Sequence, residues 1–317
     1  MNDLWCPAAS LEALRGRARL LDDLRGWMHK QGVLEVETPL LSRAGSPELH
    51  LDSLCVPRAF PDGAPGWLGT SPEFHLKRLL AAGVDDIYSV ARVFRAGEAG
   101  RWHNPEFTLV EWYRRDTDLE RLMDDIETLL AHLLPRRLLP NPPERLAYRD
   151  AFLHHTGLNP FTTELTELQK CGGDERETDR DTLLDLIAGL TVYPALGAGR
   201  VSLIHDFPAS QASLARVRDG DPPVAERVEA IVEGVELVNG FVELSDAAEQ
   251  RRRFDSDRAA RALRGRDCPT PDENFLAALE AGLPPCAGAA LGFDRLAALA
   301  LGIDGIAGVM AFPQDRA

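Results

Sequence analysis

A chain of 317 residues with 35 Lys plus Arg against 50 Asp plus Glu has a formal charge of −15 and a pI near 5.0. At 44% hydrophobic and 27% charged it falls in the globular range, with length for one large domain or two small ones. So acidic a chain is a poor partner for a long polyanion, since affinity for nucleic acid comes largely from Lys and Arg neutralising phosphates. Five cysteines, Cys6, Cys55, Cys171, Cys268 and Cys286, form no C-x-x-C pair and have no His at ligand spacing, so no zinc site or disulfide framework is expected. The stretch MNDLWCPAAS lacks a basic segment followed by an apolar one, and no apolar run approaches a membrane span. The expectation is a reduced, cytoplasmic protein with no membrane partner.

In chain order, Ser10 caps a predicted helix whose apolar positions Leu11, Leu14, Ala18, Leu21, Leu24 and Met28 recur at three and four, with Gly32 as its stop. TSPEFHLKRLLAAG predicts a second helix, with Ser71 as cap, Pro72 in the first position and Gly83 at the end. Residues 86–95 and 107–115 are rich in β-branched and aromatic residues and read as strands joined by the polar loop AGEAGRWHNPE. A helix is predicted over 118–134, capped by Asp118, with Leu119, Leu122, Met123, Ile126, Leu129, Leu130 and Leu133 facing inward. PRRLLPNPPE reads as a connector, and CGGDERETDRD as a mobile surface loop before a short helix TLLDLIAGL. Strands follow in VSLIHDFP and VEAIVEGVELVNGFVEL, and GAALGFDRLAALALG reads as strand, Gly-rich turn and helix.

Three constellations carry chemistry. Alternation places Phe107, Leu109, Glu111, Tyr113 and Arg115 on one face of their strand. Taken alone, that pattern also fits an edge strand whose polar face meets solvent. The preceding loop favours a site, because Arg95, His103, Asn104 and Glu106 converge over the same edge. In the second, Glu229, Glu236 and Glu243 recur at intervals of seven within apolar strands. A two-residue turn at Glu233-Gly234 makes Glu229 a diagonal neighbour of Glu236, roughly 7–8 Å away. A turn or bulge at Asn239-Gly240 would bring Glu243 opposite Glu236 on that face. Three like charges on one face call for a cation, Mg²⁺ with phosphates or a substrate ammonium; solvated glutamates at a sheet edge are the alternative. The third is Gly288-Ala-Ala-Leu-Gly292-Phe-Asp-Arg295, where an Arg in a first helical turn opposes the helix dipole unless an anion binds or Asp294 pairs with it. The chain has neither G-x-x-x-x-G-K-[ST] nor G-x-G-x-x-G.

Together these segments resemble the three motifs of a class II aminoacyl-tRNA synthetase. The first helix and GVLEVETPLL, closing on Pro39, resemble motif 1; VFRAGEAGRWHNPEFTLVEWY resembles motif 2; GAALGFDRL resembles motif 3. TSPEFHLKRLL, HNPEF and ELVNGFVEL are similar to the lysyl branch. FPASQASLAR and the ending AFPQDRA resemble its free-standing paralogues, which attach (R)-β-lysine to a lysine of translation elongation factor P. The resemblance implies an α+β fold, an antiparallel sheet flanked by helices in a single domain over 1–317, built as a homodimer through motif 1. It implies ATP and Mg²⁺ as cofactors. Arg95 would hold the α-phosphate and Arg295 the γ-phosphate, these two being the catalytic pair, while His103 and Asn104 would read adenine and Phe107 would stack on it. Ala96, Gly97, Glu98, Leu237 and Gly292 would line the nucleotide, and Glu229 and Glu236 would hold Mg²⁺. Ser71, Pro72 and Glu73, with Glu111, Tyr113, Glu243 and Ala290, would form the amino-acid pocket.

Three positions depart from the pattern. Arg95-Ala96-Gly97-Glu98 moves the motif 2 carboxylate by one place, and Asp294 stands where many class II proteins have Glu. Ala290 stands where the lysyl branch has Gly, and its methyl could select an amino group displaced by one carbon. Motif 1 begins within the first forty or so residues, which leaves no room for an anticodon-reading β-barrel, so tRNA is not the expected acceptor. The alternatives are a truncated lysyl- or aspartyl-type synthetase using tRNA or another amine, and a non-catalytic amino-acid sensor. The arginine run at 251–253, with Arg258, Arg261, Arg264 and Arg266, reads as a solvated helix face, or else as a protein-docking surface.

Overall fold

The computed structural model describes residues 5–317, so the first four residues of the stretch read for a leader lie outside the described residues. The chain divides into two compact units: the chain up to Asp116 with Ser245–Cys286 and Ala290–Ala317, and Thr117–Leu244 with Ala287–Ala289.

The first unit opens with α1 (Leu11–Lys30), where the Ser10 hydroxyl accepts from the Ala13 N–H at 3.1 Å and Gly32, at φ +73°, turns the chain away. Its buried face is Ala13, Gly16, Leu24, Trp27 and Met28, while Leu11 stays 62% exposed, so the stripe is rotated from the predicted one. Gly16 is the reason: a Cβ there would stand 2.6 Å from Leu301 Cδ2, and its absence lets the helix turn this side inward. Next come β1 (Leu34–Glu35), β2 (Leu41–Ser42), β3 (Cys55–Val56), β4 (Gly66–Leu68), α2 (Glu73–Ala81), β5 (Ile87–Phe94) and β6 (Glu106–Arg115). β5 and β6 pair antiparallel from Ile87↔Tyr113 to Phe94↔Glu106, while β2, β4 and β3 form a small sheet of their own. Pro72, with helical backbone at φ −81° and ψ −1°, immediately precedes α2, and the Ser71 hydroxyl before it accepts from the Glu73 N–H at 3.4 Å, as a cap there would.

The second unit holds α3 (Leu119–Leu133), β7 (Glu144–Ala147), α4 (Tyr148–Thr156), α5 (Leu165–Gly172), α6 (Arg180–Ile187), β8 (Ser202–Pro208), β9 (Val217–Arg218), β10 (Val224–Val232) and β11 (Val235–Val242). All seven inward positions expected of α3 are buried. The loop expected over 171–181 is shorter, because Cys171 and Gly172 finish α5 and Arg180 and Asp181 begin α6. α6 runs on through a π turn, Ala188–Val192, into a 3₁₀ turn, Tyr193–Ala195. The strands run in the order β11-β10-β8-β7, with β9 on β10. The chain returns to the first unit with α7 (Ala247–Leu263), α8 (Glu273–Gly282), β12 (Cys286–Gly292) and α9 (Phe293–Leu301), the central residues of β12 belonging to the second.

The architecture is the α+β arrangement expected, with one correction. The pairing is mixed rather than wholly antiparallel, since β1 joins β5 and β7 joins β8 in parallel. Both are short strands entered from a helix or a long connector, which is the kind of link parallel pairing needs.

Candidate active site

In the first unit the β5–β6 loop organises a cationic cluster around an aromatic ring. Val93 pairs with Phe107 in the ladder, and the Arg95 guanidinium lies 5.0 Å from the Phe107 ring centroid. The Arg95 N–H donates to Pro105 O at 2.9 Å and the Ala96 N–H to Asp52 O at 2.8 Å, which fixes the backbone carrying the guanidinium. Gly97 sits at φ +78°, a conformation that favours glycine. That turn absorbs the extra residue of the motif and brings Glu98 back to 3.7 Å from Arg95 Nη1.

Arg295, in the first turn of α9, reaches the same loop. Its Nε donates to Trp102 O at 3.1 Å, and its Nη2 lies 2.8 Å from His103 Nε2, which makes that ring nitrogen the acceptor. The pairing with Asp294 that the sequence allowed does not form. Asp294 is buried, accepts from the Thr108 N–H at 2.7 Å and pairs with Arg17 at 2.8 Å, tying α9 to β6 and α1. Asn104 is committed on both ends of its amide, donating to Glu106 O at 2.7 Å and accepting from the Gln314 N–H at 3.0 Å, so one N–H and one lone pair remain. Gly292 precedes α9, and a Cβ there would meet nothing nearer than the Arg295 side chain at 3.5 Å.

Along β6, Tyr113 donates its hydroxyl proton to Glu111 Oε1 at 2.6 Å, with both side chains buried on the face that carries Phe107. Ala290 packs with Phe107 against Ala91, Val93 and Leu109. Ser71 Oγ accepts from the Glu73 N–H at 3.4 Å, and the Glu73 carboxylate holds the buried Lys77 Nζ at 2.6 Å. Glu73 is therefore turned toward its own helix.

In the second unit, Val232 faces Val235 and Ile231 faces Glu236, as the Glu233-Gly234 turn predicts. The irregularity lies elsewhere than expected. Asn239-Gly240 is ordinary strand, and the register shifts between Ala230 and Ile231, so Leu237 is the extra residue and Glu229 faces Asn239. One bulged residue restores the alternation that puts Glu236, Asn239 and Glu243 on the face of Arg227 and Glu229. Glu243 bridges to Ala215 rather than standing opposite Glu236.

The expected counter-charge is supplied by the protein. Arg227 forms an ion pair with Glu229 and donates to Asn239 Oδ1 at 3.0 Å, and the Tyr193 hydroxyl donates to Glu229 Oε2 at 2.5 Å. Even so, burial pushes Glu229 up to about 7; Arg227 pulls the other way, and the nearby Glu236 charge adds to the rise. Among the described residues no group of three His, Cys, Asp or Glu is arranged as a metal cage. Sequence reasoning missed Arg227 and Tyr193. Arg227 is two places from Glu229, on the same face by alternation, and could have been found; Tyr193 arrives through a π turn that no periodicity signals.

The family model described as tRNA synthetases class II (D, K and N) matches residues 3–316. The chain belongs to this class II tRNA synthetase family. Among its relatives, an elongation factor P--(R)-beta-lysine ligase of Salmonella typhi is 44% identical over 99% of this chain and 98% of its own length. Proteins of the same name from Salmonella paratyphi A and Salmonella dublin match to the same extent. In this class II synthetase chain the Arg95 loop is the segment resembling motif 2, and β12 with α9 the segment resembling motif 3. No helix among the described residues is long and apolar enough to cross a membrane.

Proposed function

We propose that this class II synthetase chain activates (R)-β-lysine, or lysine, with ATP and transfers it to a lysine side chain of translation elongation factor P. The full-length likeness to relatives bearing that name points to the substrates. The observation that carries the chemistry is Arg95 over Phe107 with Arg295 held on the same loop, two guanidiniums beside a ring able to stack a base.

In the first step a substrate carboxylate oxygen attacks the α-phosphorus of ATP; the bond to the bridging oxygen breaks and pyrophosphate leaves. Arg95 would meet the α-phosphate and Arg295 the γ-phosphate, placing fixed charge where negative charge develops. Phe107 would stack on adenine, the remaining N–H and lone pair of Asn104 with His103 would read its edge, and Ala96, Gly97, Glu98 and Gly292 would line the nucleotide. In the second step the acceptor amine nitrogen attacks the acyl carbon, the carbon–oxygen bond to AMP breaks, and the nitrogen loses a proton. Neither step needs a side-chain nucleophile, so the protein's part is positioning and charge.

Glu111 with Tyr113 would hold a substrate ammonium group, with Ser71, Pro72, Glu73 and Ala290 shaping that pocket; on the second unit, Glu243 is a further carboxylate of the kind that holds an ammonium group. Mg²⁺ is the cation we propose for the second unit's carboxylates, where the Glu236 charge lies near the buried Glu229 and oxygen donors are the kind Mg²⁺ takes, although Arg227 already offsets part of that charge. Glu229 and Glu236 would be its ligands, and when bound it would neutralise phosphate charge.

The test is ATP–pyrophosphate exchange with (R)-β-lysine, lysine, aspartate and asparagine, followed by mass analysis of elongation factor P. We expect exchange with the first two and a mass gain of one acyl group. Arg95→Ala should lower the exchange rate by roughly 10²–10³ with an unchanged fold. Absence of exchange with every amino acid would favour a sensor, and acylation of tRNA instead of protein would favour a truncated synthetase.

A further inference from the structure

Most of the arginine run on α7 is the solvated face its composition suggests. Arg251 pairs with Glu273 at 2.7 Å, and Arg252 and Arg253 pair with Glu249 at 2.5 and 3.0 Å. Arg261 breaks the pattern, being only 1% exposed. Its Nε donates to Asp267 O at 2.6 Å, its Nη1 to Glu48 O and Leu51 O at 2.7 and 3.0 Å, and its Nη2 to Asp52 Oδ1 at 2.7 Å.

Residues 48–52 lie in neither helix nor strand, so their carbonyls have no ladder to bond to. The guanidinium provides the donors. The same Asp52 gives its carbonyl to the Ala96 N–H at 2.8 Å, one residue from Arg95. A continuous path of hydrogen bonds therefore runs from α7 through the 48–52 segment to the backbone that aims Arg95.

We infer that Arg261 is a positioning residue for the Arg95 loop, acting through Asp52. This rests on the reading that Arg95 meets the nucleotide. A planar fork of five donors is what the task requires, since a lysine ammonium offers three donors from one point and cannot span four oxygens in different directions. A merely structural buried arginine would affect all of the first unit alike, whereas this path predicts a local effect at Ala96 and a kinetic effect on ATP.

The experiment uses the full chain with Arg261→Lys, Arg261→Met and Asp52→Ala. Two quantities are read: amide hydrogen exchange at Ala96 against amides of β5, and pyrophosphate exchange as a function of ATP and of amino acid. In Arg261→Lys the Ala96 amide should exchange at least about tenfold faster while β5 stays protected. Its kcat/KM for ATP should fall roughly 10- to 100-fold, because small misplacements of a catalytic group cost that much, with KM for the amino acid little changed. Wild-type protection at Ala96 with wild-type ATP kinetics would overturn the inference, as would loss of protection spread evenly over β5 and β6. Where the Arg261 variants do not fold, Asp52→Ala, which removes the carboxylate contacts to Arg261 and Arg266 and leaves the carbonyl that holds Ala96, should shift both quantities in the same direction to a smaller extent; an unchanged Ala96 amide there also overturns it. Wild-type protein that exchanges pyrophosphate with no amino acid would remove the proposed activity and leave the Ala96 amide as the sole judge of positioning.

Discussion

Glu229 is the residue whose chemistry changes most with conditions. Its pKa in the folded protein is about 7, raised first by burial. The group's contribution to stability is thus fully present below its ordinary range and lost as pH rises through 7. Cation binding has the opposite sign, because the proton must leave first: Mg²⁺ affinity measured by calorimetry should climb up to about tenfold per pH unit below 7 and level off above it. A pH-independent affinity would remove Glu229 from the metal site. Ala290 gives a second test. It packs, as Phe107 does, against the Ala91, Val93 and Leu109 cluster, and Ala290→Gly should shift the ratio of kcat/KM for (R)-β-lysine over lysine toward lysine by roughly tenfold, the worth of about one methylene. An unchanged ratio would mean that the methyl takes no part in selection. At this scale the sequence announced the carboxylates, because spacing by seven in a strand is a one-dimensional signal. The answering charge on Arg227 was hidden, because identifying a partner requires knowing which side chains meet.

Elements were legible where their ends are chemically marked. Ser10, Asp118 and Gly32 say where α1 and α3 begin and α1 stops, and the structure agrees. The segment 144–170 stayed opaque because α4 and α5 are nine and eight residues long and bury only a few positions each, too few to establish a period. The bulge in β11 escaped for a related reason: Leu237 looks like any apolar strand residue, and the Asn-Gly pair next to it mimics a turn. Gly240 has another role. A Cβ on it would stand 2.8 Å from Ala289 Cβ and 2.9 Å from Gly288 O, so the glycine permits close approach of a neighbouring backbone. Gly240→Ala should destabilise by about 1–3 kcal/mol in denaturant unfolding, the usual cost of overpacking. A change near zero would mean that the strand moves aside freely.

For the whole molecule, the −15 charge and the chain's membership of the class II family make a joint statement. A synthetase relative whose acidic residues so outnumber its basic ones should bind tRNA weakly, and filter binding at physiological salt should retain none at micromolar protein. The homodimer remains our proposal. Its motif 1 segment leaves Leu11 and Leu34 at 62% and 57% exposure, and analytical ultracentrifugation should find twice the 34.8 kDa chain mass. A monomer at micromolar concentration would leave those side chains to another partner. Arg261 also bears on which changes the chain can absorb. It grips the 48–52 segment mainly by the main-chain oxygens of Glu48 and Leu51, which every amino acid carries, so those two side chains can be exchanged without loosening that grip. Mutational tolerance in this part of the molecule should therefore be lopsided: a loop permissive at Glu48 and Leu51, hung chiefly on one arginine of a helix two hundred or so residues away, with Arg266 holding the Leu49 oxygen at 3.1 Å.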